Sequence, residues 1–368
     1  TDKYENINKP YFDPRINMLF TLPSIANITI SIGGGYGITT KMPTQNYISP
    51  DYKYINLVGL NYYNSSDINQ SIVKITSYVI SPENFALKAA RNTKKELRID
   101  IAAGSNRLSI TYFNEKTANG YRYEEQYASY SYDKYDNHEE PLTSHKERVL
   151  EYVSMPTNNA FINKEGIEYQ YQSSRIKAIR TAIVVNGAWY NSKYHSKAPY
   201  FEPISTVINE KAIQDYYVGQ YSGQRGNKAE TFNTNVMLDT QIPEIGFTFS
   251  TTIENMWFQK TQRLKEDEIP SHYISYDDGK IHTYEKNDTE DIYLKHLVRQ
   301  KNNAIFRQYT IPRATHINLK ATKKIGSIVR ISMFANRLLS STPSYKRDGN
   351  IVRRHISPYF GMEINITL

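Results

Sequence analysis

Cysteine is absent from the 368 residues, which removes disulfides, thiolate nucleophiles and cysteine-ligated metals from the available chemistry. Long apolar runs are missing as well. Mean hydropathy is -0.62, and no stretch approaches the roughly eighteen consecutive apolar residues of a membrane helix. That excludes a helical membrane protein but not a β-barrel, whose alternating strands keep average hydropathy low. The start, Thr1 to Asn6, is polar with no apolar run behind it. It does not read as a signal peptide, so the expectation is a removed leader or a start inside a longer protein. Charge of one sign is lacking too: 45 Lys and Arg stand against 37 Asp and Glu, for a net +8. The two signs are mixed, as across residues 260–268. A nucleic-acid stripe needs basic residues without such neutralisation, so no nucleic-acid partner is expected.

What the chain does contain is alternation. Phe360, Met362, Ile364, Ile366 and Leu368 alternate with Gly361, Glu363, Asn365 and Thr367 to the last residue. Period two gives a strand one apolar and one polar face. Ten further segments read the same way, so eleven strands are predicted: residues 13–22, 27–41, 92–103, 106–114, 165–172, 177–190, 230–241, 246–259, 315–323, 327–338 and 355–368. On the third, Leu97, Ile99 and Ile101 oppose Arg98 and Asp100. On the sixth, Ile179, Thr181, Ile183, Val185 and Trp189 oppose Arg180 and Asn186. Phe247, Phe249, Thr251, Ile253 and Trp257 oppose Thr248, Ser250, Thr252 and Glu254, and Val329, Ile331, Met333 and Ala335 oppose Arg330, Ser332 and Asn336. Arg98, Asp100, Arg180, Glu254 and Arg330 would be costly in lipid or in a dry core and cheap in a wet lumen.

The connections sort by length. Tight turns join the strands of each pair, whereas the stretches near 42–91, 115–164, 191–229, 260–314 and 339–354 are long. Short turns at one end and long loops at the other are the asymmetry of an outer-membrane barrel. Within the loops, Asp277-Asp278-Gly279 predicts a hairpin turn between residues 273–276 and 280–284. Short helices are expected within 287–300 and 207–218.

Chemical motifs are weak. The glycine run Gly33-Gly34-Gly35-Tyr36-Gly37 lacks the Gly-Lys-Ser/Thr ending of a phosphate loop and follows strand alternation. Close strand passage explains it better. Eight histidines are scattered, His138 and His145 among them, without a metal-binding spacing. Asp277 and Asp278 fit a turn, and the acidic pairs Glu124-Glu125 and Glu139-Glu140 fit loops. No nucleophile–base set is recognisable, no cofactor or metal is expected, and the chain does not read as an enzyme. Tyr121, Tyr127, Tyr130, Tyr132, Tyr276 and Tyr284 are the candidates for ligand or partner contact, since tyrosine joins a rigid ring to a hydroxyl. For the tyrosine-rich segment from Tyr121 to Tyr135, an aromatic girdle or ordinary loop packing is the alternative. Trp189, Trp257 and Phe258 fall near outer strand ends and suit interfacial anchoring.

Several strings resemble barrel strands of TonB-dependent receptors. These are Tyr11-Phe12-Asp13-Pro14-Arg15-Ile16-Asn17, residues 87–94, residues 106–113, residues 331–338 and the terminal 359–368. The likeness is to the Bacteroidetes branch, whose members often carry a carboxypeptidase-regulatory-like domain upstream. The family usually ends in phenylalanine where this chain has Leu368. The resemblance implies an all-β, transmembrane antiparallel barrel, with residues 1–368 forming about eleven strands, the later half, of a 22-stranded barrel. Turns would be periplasmic and long loops extracellular. No plug is recognisable, so the plug and preceding barrel half are expected on an upstream or separate polypeptide. The implied function is TonB-dependent import of a bulky solute across the cell outer membrane, oligosaccharide or peptide favoured. TonB would act through the missing region, with lipid or lipopolysaccharide around the barrel and a surface lipoprotein as a lid. On that reading Arg98, Asp100, Arg180, Glu254 and Arg330 face the lumen or plug. An adhesion or structural barrel and a secreted soluble β-rich enzyme are the alternatives.

Overall fold

The computed structural model describes residues 3–136, 143–222, 225–347 and 349–367. The chain enters with β1 (Arg15–Thr21) and β2 (Ile28–Lys41), makes a separate hairpin of β3 (Lys53–Tyr62) and β4 (Ile72–Ile80), and continues with β5 (Ala90–Ala103) and β6 (Asn106–Tyr135). Next come β7 (Ser144–Gln172), β8 (Thr181–Ser196), β9 (Tyr200–Ile208), β10 (Lys211–Tyr221), β11 (Arg225–Ile242) and β12 (Phe247–Arg263). After them stand β13 (His272–Ser275), β14 (Ile281–Thr283), β15 (Tyr309–Ile311), β16 (Ala314–Ile325) and β17 (Val329–Ser341). The small strands β18 (Tyr345–Arg347) and β19 (Asn350–Val352) precede β20 (Tyr359–Ile366).

The fold is all-β and dominated by one antiparallel sheet of twelve strands. Its order is β1-β2-β5-β6-β7-β8-β11-β12-β16-β17-β20, with β15 added to β12. These are the eleven expected strands, in chain order, each antiparallel to the next. Among the described residues β1 and β20 pair on one side only, so the sheet has two open edges. A second sheet runs β14-β13-β10-β9.

The connections β1–β2, β5–β6, β7–β8, β11–β12 and β16–β17 are short and lie at one end of the large sheet. Ala26 and Asn27 make a two-residue turn with φ of 48° and 64°, closed by the Ile25–Ile28 bridge. Gly104, at φ 60°, turns β5 into β6, and Gly246, at φ 62°, turns β11 into β12. A Cβ on Gly246 would meet the Lys324 carbonyl at 2.9 Å, so glycine is required there for space as well as for conformation.

The register separates two faces, because directly opposed residues on neighbouring strands share a side. On one face Phe20, Ile32, Ile99 and Ile110 form a row. The row above it is Leu97, Tyr112, Ile167, Trp189, Phe232 and Phe258. At the far edge Ile331 opposes Ile364 and Met333 opposes Met362. These side chains are open to solvent: Ile99 is 41% exposed, Leu97 52% and Met333 62%. From Leu97 down to Ala103 the band spans about 20 Å along β5. Above the aromatic row the same face turns polar, through Lys95, Asn114, Glu165, Asn191 and Glu230. The opposite face carries Asp100, Ser109, Gln170, Asn186, Asn235 and Glu254 in one row.

Fully buried apolar side chains gather away from the turn end. Ile204, Ile213, Leu294 and Leu297 form one cluster, and Leu150, Val218 and Ile274 another. Both belong to the assembly built on the loop end.

Several expectations are corrected. Residues 115–164 are not mostly loop: β6 and β7 run on beyond the band as a paired ribbon, with Thr117 to Tyr135 covering about 60 Å. Bulges around Gly120 let Asn119 take φ 58° without ending the strand. The helix expected within 207–218 is strand, because Asn209 and Glu210, at φ 49° and 63°, form a two-residue hairpin turn between β9 and β10. The helix expected within 287–300 is reduced to the 3-10 turns Lys286–Thr289 and Leu294–Leu297. The sixth strand begins at Thr181 rather than residue 177, which leaves Arg180 in the turn at φ 53°. The last begins after Pro358, at Tyr359, and Leu368 lies outside the described residues. The hairpin around Gly279 forms as predicted, with Tyr273 opposite His282. The glycine run lies within β2 with no helix after it, and only Gly35 is tightly approached, by the Asn17 side chain at 2.8 Å.

Candidate functional site

Two regions carry polar chemistry: the polar face of the large sheet and the loop-end assembly. On the polar face Arg98 donates from Nε to Asp100 Oδ1 at 2.9 Å. Around this pair Ser109, Gln170, Asn186 and Asn235 line shallow clefts of about 370 and 460 Å³. Glu254 lies farther along the same row and accepts from Asn318 Nδ2 at 3.0 Å. Arg330, near the start of β17, is exposed opposite Asn365. Arg180 is not on this face; from its turn it pairs with Glu244, and its carbonyl accepts from Arg175. The polar-face candidates are thus spread over β5, β12 and β17 rather than brought together.

At the loop end the six candidate tyrosines are all involved in packing. The Tyr121 hydroxyl donates to the Lys41 carbonyl at 2.9 Å and accepts from the Ala90 N–H at 3.1 Å. Burial pushes its pKa up to about 12. The Tyr127 ring lies against Tyr152 and Phe201. Tyr130 packs on Tyr78, whose hydroxyl donates to the Ser131 carbonyl at 2.5 Å. Tyr132 is 9% exposed. Tyr276 stacks on Tyr216 at 4.6 Å, and its carbonyl accepts from Ser129 Oγ at 2.6 Å. Tyr284 stands edge-on to Tyr273 and donates to the Leu294 carbonyl. These contacts dock the β3–β4 hairpin and the second sheet onto the β6–β7 ribbon. The rings supply apolar area while their hydroxyls satisfy loop carbonyls.

Charge organises the neighbouring loops. The Glu266 carboxylate is fully buried, accepts from Arg263 Nε at 3.0 Å and from Lys301 Nζ at 2.5 Å, and lies 3.7 Å from Arg225. Burial raises its pKa, but the hydrogen bonds from Lys301 and Arg263 outweigh this and hold it below the ordinary value. Glu202 pairs with Arg299, and Lys301 lies over the stacked Tyr200 and Tyr221 rings. The Tyr221 hydroxyl donates to the Leu297 carbonyl at 2.6 Å.

Beside this cluster lies a cavity of about 800 Å³. Arg263, Arg307, Lys346 and Arg347 reach it. Sequence reading passed over these residues because each looks ordinary alone. The available signal was regional: residues 292–362 hold fourteen Lys and Arg but a single acid, Asp348, which lies outside the described residues. The histidines and acids considered earlier form no such cluster. His145 pairs with Asp136, Glu124 accepts from Asn159, and His138, Glu139 and Glu140 lie outside the described residues.

The apolar face carries its own polar trim. Trp189 Nε1 donates to Glu230 at 2.9 Å, and Trp257 Nε1 donates to Thr234 at 2.9 Å while its ring stacks on Phe232. A bulge between Met256 and Phe258 brings Trp257 and Phe258 both into this belt.

Comparisons with protein-family models, curated proteins and solved structures find no match.

Proposed function

We propose that the chain is part of an outer-membrane receptor barrel of the TonB-dependent kind, importing a bulky solute. The observation that carries this reading is the exposed apolar face of the large sheet. It crosses the sheet, is bounded above by Tyr112, Trp189, Phe232 and Phe258, and gives way to charged residues beyond them. Water penalises such a continuous apolar face, whereas a bilayer accommodates it, with indole and phenol rings at the headgroup level. The sorted connections and the strongly polar opposite face agree with an outer rim, an inner rim and a wet interior.

Two open edges, at β1 and β20, would be closed by further strands, since an unpaired edge is unsustainable in lipid. A plug within the barrel would meet Arg98, Asp100, Glu254 and Arg330. The loop-end assembly on the β6–β7 ribbon would stand outside the cell as the capture surface. A lid lipoprotein would meet that surface, and TonB would supply the energy.

The test has two parts. Cells are extracted with and without detergent, and the intact mass of the particle holding this chain is measured. The expected result is release by detergent only, with polypeptide sufficient for a plug and about eleven more strands. Solute uptake is then compared with and without TonB, and uptake that needs TonB is expected. Release without detergent sinks the membrane assignment; uptake indifferent to TonB sinks the transport mechanism.

A further inference from the structure

We infer that the loop-end cavity binds an acidic oligosaccharide through its carboxylate or sulfate groups. This deepens the transport reading and rests on it for the setting, because the cavity opens where that reading places captured cargo.

The cavity has a floor and two walls. The floor is the loop end of β11 and β12, where Asn227 opposes Arg263 and Thr261 lies beside them. One wall is the segment containing the 3-10 turn Asn303–Phe306, which ends in Arg307. The other is the β18–β19 hairpin, which presents Lys346 and Arg347. Both walls are tied down. Phe306 is 8% exposed and its carbonyl accepts from Gln262 at 3.1 Å. Arg354 joins the Pro312 and Pro343 carbonyls at 3.2 and 3.3 Å. The cationic groups are therefore held around a preformed space of a size usual for small-ligand sites.

No carboxylate stands among the described lining residues. Arg263 is occupied by Glu266, and the Arg347 guanidinium lies 4.4 Å from the Tyr309 ring centroid. Arg307 and Lys346 are exposed, and among the described residues no ion pair joins either to a carboxylate. Bringing the exposed Arg307 and Lys346 to one space costs repulsion, which an anionic ligand removes. Guanidinium forks suit planar or tetrahedral oxyanions. The rest of the described lining suits a sugar: Asn227, Thr261 and Asn302 offer amides and a hydroxyl to match sugar hydroxyls, and Ala304, Ile305 and the Tyr309 ring give a small apolar contact. The wider charge distribution agrees, since residues 292–362 are strongly basic while the remainder of the chain is net acidic.

The test is calorimetric titration of the detergent-extracted particle with a heparin-derived tetrasaccharide, cellotetraose as the neutral control and hexaglutamate as the acidic peptide control. The expected result is binding of the sulfated sugar at least tenfold tighter than either control, weakening severalfold as salt is raised. The double variant Arg307→Gln/Lys346→Gln should lose at least tenfold in affinity. Both side chains are exposed, so folding should persist, which the melting temperature checks; Arg307→Lys should retain part of the binding. Equal binding of cellotetraose, tighter binding of hexaglutamate, or an unchanged affinity in the folded double variant overturns the inference. If binding fails while uptake of another solute still needs TonB, only the ligand class is wrong. If binding holds while uptake is indifferent to TonB, only the transport reading is wrong.

Discussion

Ile99 is the position at which the two environments of the large sheet are most cleanly separated. It lies in the apolar row between Ile32 and Ile110, one residue from Arg98 on the polar face. In water, arginine at a site already 41% exposed would cost little, within about 0.5 kcal/mol. In lipid the same charge near mid-depth costs about 2–4 kcal/mol, a roughly 30- to 1,000-fold shift in the folding equilibrium. The matched control is Gln170→Arg, opposite Ser109 and Asn186 on the polar face, with an expected cost below about 0.5 kcal/mol. The assay is guanidinium unfolding of the particle in phospholipid vesicles, followed by the fluorescence of Trp189 and Trp257. A depth series strengthens it: Ile99→Arg should cost more than Asn114→Arg, which stands in the polar row above the aromatic belt. Equal tolerance of arginine at Ile99 and Gln170 would refute the lipid-facing assignment, whatever the sequence pattern suggests.

Other perturbations probe the turns and the loop-end assembly. Gly246→Ala forces a side chain into φ 62° against the Lys324 carbonyl, and a loss of about 1–2 kcal/mol is expected in the same unfolding assay. Tyr121→Phe abandons the Lys41 carbonyl and the Ala90 N–H, so hydrogen exchange at Ala90 should accelerate and stability should fall by about 2 kcal/mol. Because the folded phenol is raised to about 12 from 10.0, its contribution is complete below pH 10 and declines as pH rises toward 12. Glu266→Gln replaces the carboxylate shared by Arg263 and Lys301 with a neutral amide; the expected loss is about 3 kcal/mol, at the low end for buried pairs because Arg263 is 42% exposed. Since the carboxylate's pKa is depressed below 4.5, its contribution is present above that pH and lost as pH falls through the folded value. Limited proteolysis of the 264–313 region across that range reports it, and indifference to acid in the native protein would count against the ion cluster.

The strand framework was readable because its information is local. A half-buried strand needs alternation, and a tight antiparallel connection needs residues that accept positive φ, as Asn27, Gly104, Gly246 and Gly326 do. Those signals placed all eleven strands of the main path and the short-turn end. They failed where neither face is continuously apolar. The outer half of β6 and β7 alternates poorly, since its tyrosines are covered by modules from elsewhere: Tyr130 by Tyr78, and Ser129 by Tyr276. The β9–β10 turn hid behind Asn209-Glu210, a pair without the usual glycine. The loop chemistry was hidden for a related reason. Glu266 meets Lys301 across 35 residues, and Arg263 shares a cavity with Lys346 only after β12 and β18 are brought to one end of the sheet. Alternation along a strand is written in neighbouring residues; the meeting of distant charges depends on how long segments fold back on one another, and no short window of sequence contains that distance.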